Sequence, residues 1–128
     1  MGMKLAGLLA TVVLLLAGCG EASDAGDAAP RYDITVIYWP SGPDGESHEA
    51  TLTCDPDGGS HPDPAAACSA LLENADALEP VPGDVACTEI YGGDQVATVT
   101  GSVQARFSRA NGCEIDRWDR VRAVLEIA

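Results

Sequence analysis

Residues 51–71 read TLTCDPDGGSHPDPAAACSAL, and the fold is decided there. Thr51 to Cys54 completes the run HEATLTC (48–54), where Ala50, Leu52 and Cys54 alternate with polar residues as one face of a half-buried strand requires. DPDGGSHPDP is a loop by its prolines and glycines. Asp63-Pro64 then begins a helix, because the carboxylate can cap free N–H groups and proline suits the first helical position. A helix is predicted over AAACSALLENADAL (65–78), with Ala67, Leu71 and Leu78 available to the core, and EPVPGD (79–84) ends it.

On the N-terminal side, RYDITVIYW (31–39) is rich in β-branched and aromatic residues and alternates as a strand, and PSGPDGES (40–47) is a turn. On the C-terminal side, QVATV (95–99) and VQARF (103–107) are predicted strands. Gly101-Ser102 suits a tight hairpin turn between them. CEIDRWDR (113–120) reads as a short helix and VRAVLEIA (121–128) as a final strand. Strands outnumber helices and turns separate them, so the class is α+β with an antiparallel sheet. There is no internal repeat. Trp39 and Trp118 belong to the core or its edge, and His61-Pro62 to a surface turn.

The chain has 128 residues, of which only seven are Lys or Arg, and a formal net charge of −13. Nucleic acid is excluded as a partner because a binder needs a basic surface to displace counterions from phosphates. Electrostatic docking on anionic lipid is excluded for the same reason.

The first residues, MGMKLAGLLATVVLLLAGCG, carry one early cation, Lys4, and then an apolar run from Leu5 to Ala17 that is short for a membrane span and laid out as an export signal. Its end, Leu16-Ala17-Gly18-Cys19, resembles the lipobox of bacterial lipoproteins, in which the cysteine thiol carries a diacylglycerol. The resemblance implies a signal peptide over 1–18, lipid attachment at Cys19 and an extracytoplasmic, membrane-anchored protein. GEASDAGDAAP (20–30) has nothing large and apolar to bury, so 19–30 reads as a flexible acidic tether and 31–128 as the folded domain. Cysteine parity agrees: of five cysteines, lipidation takes Cys19 and leaves Cys54, Cys68, Cys87 and Cys113 as an even set. Four cysteines allow three connectivities, and spacing alone does not choose among them.

No constellation in the sequence marks an enzyme. His48 and His61 stand in turn-like segments without zinc-ligand spacing. Asp55, Asp57 and Gly58 lack the closing glutamate of a calcium loop. No glycine-rich phosphate loop follows a strand, and no serine and histidine are marked as a pair. No cofactor or metal is expected.

The cysteines and their surroundings resemble the subtilisin inhibitor-like family of actinobacterial protease inhibitors. TLTCDPDGGSHPDPAAACSAL is similar to the family's first disulfide region, CTEIYGG (87–93) to its reactive loop, and ARFSRANGCEIDRW (105–118) to the region of its last cysteine, including an asparagine two residues before it. The resemblance covers nearly all of residues 31–127. It implies a five-stranded antiparallel sheet with two short helices, disulfides Cys54–Cys68 and Cys87–Cys113, often a homodimer, and a serine endopeptidase as partner. Carried over by position, Glu89 enters the protease specificity pocket and Glu89-Ile90 is the reactive bond. Cys87, Thr88, Tyr91 and Asn111 support the loop, Asn111 by hydrogen bonds.

Three departures from the family pattern bear on function. Thr88 stands where the family usually has proline, and Gly92-Gly93 replaces Asp-Pro, changes that by themselves loosen a backbone. Glu89 would bring a carboxylate into the apolar pocket of a subtilisin-like enzyme, which costs several kcal/mol unless it is neutralised or paired. The reading is therefore a tethered serine protease inhibitor whose target is not subtilisin-like in preference and is suited to glutamate-specific enzymes. The alternative is a non-inhibitory lipoprotein that keeps the fold as a binding or structural module.

Cys19→Ala is expected to release the protein from membranes or to block its processing. Intact mass of the native protein checks this, because a mass without a lipid adduct contradicts the attachment.

Overall fold

Alternation along RYDITVIYW becomes strand β1 (Tyr32–Trp39), which buries Tyr32, Ile34, Val36 and Tyr38 on one face. The computed structural model describes residues 31–128; the expected signal segment, Cys19 and the tether lie outside them. Strand β2 (His48–Cys54) pairs antiparallel with β1 from Tyr32 opposite Cys54 to Tyr38 opposite His48. On the other edge of β1 lies β3 (Val96–Gly101), and β4 (Ala105–Ser108) pairs with β3, also antiparallel. The sheet order is β2-β1-β3-β4.

Helix α1 (Pro64–Glu73) starts as its sequence requires. Asp63 accepts a hydrogen bond from Ala66 N–H at 3.1 Å, Pro64 occupies the first turn, and Ala67, Cys68 and Leu71 face the core. The helix stops at Glu73, where Asn74 donates to Ala70 O and Arg120 O; a 3₁₀ turn, Ala75–Leu78, completes the expected segment. Cys54 and Cys68 are bonded, with their Cα atoms 5.5 Å apart. That staple joins the end of β2 to α1 and is worth about 3 kcal/mol through restraint of the unfolded chain.

The class is α+β, but the sheet has four strands, not five, and the described helices are three. The segment expected as the fifth strand, VRAVLEIA, instead forms α3 (Arg122–Leu125). The physical reason lies in its spacing. Val121, Val124 and Leu125 are fully buried whereas Arg122 and Ala123 are exposed, which is a helical i, i+3, i+4 pattern and not alternation. The β3–β4 connection also differs from the tight turn expected at Gly101-Ser102. Gly101 is still paired with Ile34 of β1, and Ser102 exchanges bonds with Asp33: its N–H donates to Asp33 O and its Oγ accepts from Asp33 N–H, both at 3.0 Å. The chain therefore turns over residues 102–104.

His61, placed by sequence on a surface turn, is buried. Asp63 N–H donates to its Nδ1 at 3.0 Å, which leaves Nε2 carrying the proton toward Val124 O at 3.1 Å. The ring thus ties the loop before α1 to α3.

Helix α2 (Gly112–Arg120) begins at Asn111, whose side-chain oxygen accepts from Glu114 N–H at 3.0 Å. Two of its residues fix it to the core. Trp118 is fully buried, its ring 6.0 Å from that of Tyr38, and its indole N–H donates to Glu126 at 2.9 Å. Arg117 is buried with three acceptors: Nε donates to Ala77 O at 3.0 Å, and Nη1 donates to Arg106 O at 3.3 Å and to Glu114 at 2.8 Å. Its guanidinium also lies 4.7 Å from the centre of the Phe107 ring.

Removing that side chain would leave two backbone carbonyls and the Glu114 carboxylate without their donor. Arg117→Ala is expected to destabilise the domain by about 3 kcal/mol, read as a lowered denaturant midpoint at unchanged slope.

Candidate functional site: a loop held at both flanks

Between the 3₁₀ turn and β3 the chain runs without regular structure from Glu79 to Gln95, and within that run Glu89, Ile90 and Tyr91 project into solvent. Ile90 is 59% and Tyr91 64% exposed, among the few large apolar side chains of the described residues that the core leaves out. Glu89 is exposed as well and makes no ion pair among the described residues. Its carboxyl group is accommodated there because water solvates it.

The upstream flank is fixed to the start of α2. Cys87 is bonded to Cys113, with Cα atoms 5.3 Å apart, and Gly112 N–H donates to Thr88 O at 2.9 Å. Thr88 lies so close to Gly112 that a Cβ there would collide with the threonine hydroxyl. The downstream flank is fixed to the segment between β4 and α2. Gly92 N–H donates to Arg109 O at 2.8 Å, and Arg109 Nε donates back to Gly92 O at 3.1 Å. Tyr91 donates its hydroxyl to the Asp94 carboxylate, a bond within the loop itself.

Sequence alone makes Gly92-Gly93 look like slack, and the structure gives the pair another meaning. A Cβ on Gly92 would stand 2.8 Å from the Ile115 side chain, so a larger residue there would have to push that side chain aside. Gly93 has φ 125°, in the region that favours glycine and that a proline ring cannot reach. The Asp-Pro of the related pattern would not fit this path.

The Asn111 side-chain oxygen caps α2 at Glu114 and in this way positions the neighbouring Gly112 N–H that reaches the loop. Arg109 was not singled out by sequence. The available signal was weak, an arginine in a chain with few cations, four residues before Cys113.

Asp119 holds Arg109 from behind, accepting from its Nη1 at 2.9 Å and also from Arg122 at 2.6 Å. The hydrogen bonds from Arg109 and then Arg122 keep the Asp119 carboxyl below its ordinary range. Beside the disulfide lies a groove of about 600 Å³ lined by Pro80, Val81, Val85, Ala86, Thr88 and Arg120 among others. Cys54, Asp57 and Cys68 lie together, but the two sulfurs form a disulfide and offer no thiolate to a metal.

Residues 38–114 match the sequence model of the family described as subtilisin inhibitor-like. The match spans more than half of the chain, and the chain belongs to that family, which is one of protease inhibitors. No curated protein matches it.

Because the Asp119 carboxyl is held low in the folded state, its contribution to stability is present above about pH 4 and is lost as the pH falls further. Asp119→Asn is expected to lower stability at neutral pH and to flatten the acid limb. Denaturant midpoints for the two proteins should converge as the pH falls below about 4.

Proposed function

We propose that this protein is a serine protease inhibitor that presents Glu89-Ile90 as a substrate-like reactive bond and is held outside the cytoplasm by lipid on Cys19. The observation that carries the reading is the loop's restraint. Glu89, Ile90 and Tyr91 lie between a disulfide-backed anchor at 87–88 and a two-bond anchor at 92. A segment already held at both flanks loses little conformational entropy when a protease cleft closes on it. Cys87 and the Thr88 carbonyl keep the acyl side in place, and the Gly92 contacts keep the leaving side.

Glu89 sets the partner. The bound side chain leaves water, so the pocket that receives it must supply a cation or several donors, as charge-assisted bonds to a carboxylate require. That is the pocket of a glutamate-specific serine endopeptidase. Ile90 and Tyr91 add apolar surface on the leaving side, and Pro80, Val81 and Val85 form a wall beside the acyl side.

The test is inhibition of a panel of serine proteases, a glutamate-specific one among them, by soluble protein starting at Gly20. Wild type is expected to inhibit the glutamate-specific enzyme. Glu89→Leu is expected to weaken that inhibition by at least about 100-fold and to create inhibition of subtilisin-like enzymes, since specificity is a difference in affinity at one pocket. If neither protein inhibits any member of the panel, a non-inhibitory role for the scaffold replaces this reading.

A further inference from the structure

We propose that Arg109 is a positioning residue that holds the leaving side of the reactive bond after cleavage, and so decides whether the loop behaves as an inhibitor or as a substrate. The inference rests on Glu89-Ile90 being the reactive bond.

In the first step the protease serine oxygen attacks the Glu89 carbonyl carbon. The bond from that carbon to Ile90 N breaks, and the serine proton passes through the protease base to the departing nitrogen. An ester and a free Ile90 amine result. Two fates compete. The Ile90 amine can attack the ester carbon, re-forming the amide and returning the proton to the serine oxygen. Alternatively water attacks, giving the free serine and a cleaved chain with a new Glu89 carboxylate. Religation wins only if the amine stays beside the ester, which is a matter of effective concentration.

The new amine is joined covalently to the sheet only at Val96, where β3 begins. Released from other contacts, the intervening residues with their two glycines could carry it away by up to roughly 20 Å at about 3.5 Å per residue. Arg109 shortens that leash. Its carbonyl and its Nε bind the N–H and the C=O of Gly92 together, so only Ile90 and Tyr91 remain free to swing. Tyr91 cannot substitute for it, because its hydroxyl partner, Asp94, lies on the same moving segment.

Arg109 is itself immobilised. Its side chain is 14% exposed, Asp119 holds its far nitrogen at 2.9 Å, and the guanidinium lies 5.9 Å from the centre of the fully buried Trp118 ring. A side chain fixed at both ends transmits the position of α2 to Gly92. Proline rigidity is absent from this side of the loop, and the arginine clamp takes its place.

Two measurements on the full-length chain test the inference. With a catalytic amount of the glutamate-specific protease, Arg109→Ala is expected to raise the equilibrium ratio of cleaved to intact chain, and the rate of loop hydrolysis, by at least about tenfold. Its association rate constant should stay within about threefold of wild type, because the acyl side is untouched. Asp119→Asn keeps the arginine and removes its support, so it should shift the same ratio in the same direction by less. This second variant covers the case in which Arg109→Ala folds poorly. The other measurement is amide hydrogen exchange and needs no protease: Arg109→Ala keeps the backbone carbonyl that Gly92 N–H binds but removes the Nε bond to Gly92 O, so the segment should open more often and exchange at Gly92 quicken while that at Gly112, bound to Thr88 O, does not. An unchanged cleaved fraction in both variants, or unchanged exchange at Gly92, overturns the clamp. If the wild-type chain inhibits nothing, the reading of the bond falls, and exchange at Gly92 alone decides whether the clamp exists.

Discussion

The seat of α2 in the core is the constraint from which the rest follows, and the buried Arg117 is its main fixing. One guanidinium satisfies the carbonyl of Ala77 at the 3₁₀ turn, the carbonyl of Arg106 in β4 and the carboxylate of Glu114 in α2 itself, over the face of Phe107. Taking an ion of this kind out of water is costly unless acceptors meet it, and here the acceptors come from three elements, which must therefore pack in one arrangement. Once α2 is placed, its first turn presents Gly112 and Cys113 to the upstream flank of the loop. Its third turn offers Asp119 to Arg109 on the downstream flank. A single helix therefore sets both ends of the exposed segment.

Cations are scarce in a chain with twenty acidic residues, and they are concentrated in this region. Arg109, Arg117, Arg120 and Arg122 each bind at least one carboxylate, and Asp119 is shared between two of them. The exposed pairs contribute little apiece in water. Their value lies in orientation, since a guanidinium whose far side is held cannot wander from the carbonyl on its near side.

Part of this arrangement was legible in the sequence because it rests on local rules. Alternation specified β1 and β2, Asp63-Pro64 specified the start of α1, and the cysteines with Asn111 marked the family. Other parts depend on contacts remote in sequence. VRAVLEIA carries β-branched residues typical of a strand, yet its buried set is spaced as a helix, and short runs of this kind satisfy either period until the sheet edge is known. His61 resembles a turn residue because its neighbours are prolines and glycines; its burial depends on α3, sixty-odd residues away, returning to accept its proton. The glycine pair after Tyr91 is the most instructive case. Composition reads it as freedom, whereas Ile115 and Arg109 convert it into close contact.

The separation of the protruding segment from the core has an evolutionary consequence. Glu89 and Ile90 are exposed, and their side chains make no hydrogen bond or ion pair among the described residues, so replacing them should change stability by no more than about 0.5 kcal/mol, as for other surface positions. Selection can then explore the whole alphabet at these two sites under a constant scaffold. On the proposed reading of Glu89-Ile90, a lineage carrying this domain would acquire a new adversary through a single codon, without first accumulating stabilising mutations elsewhere.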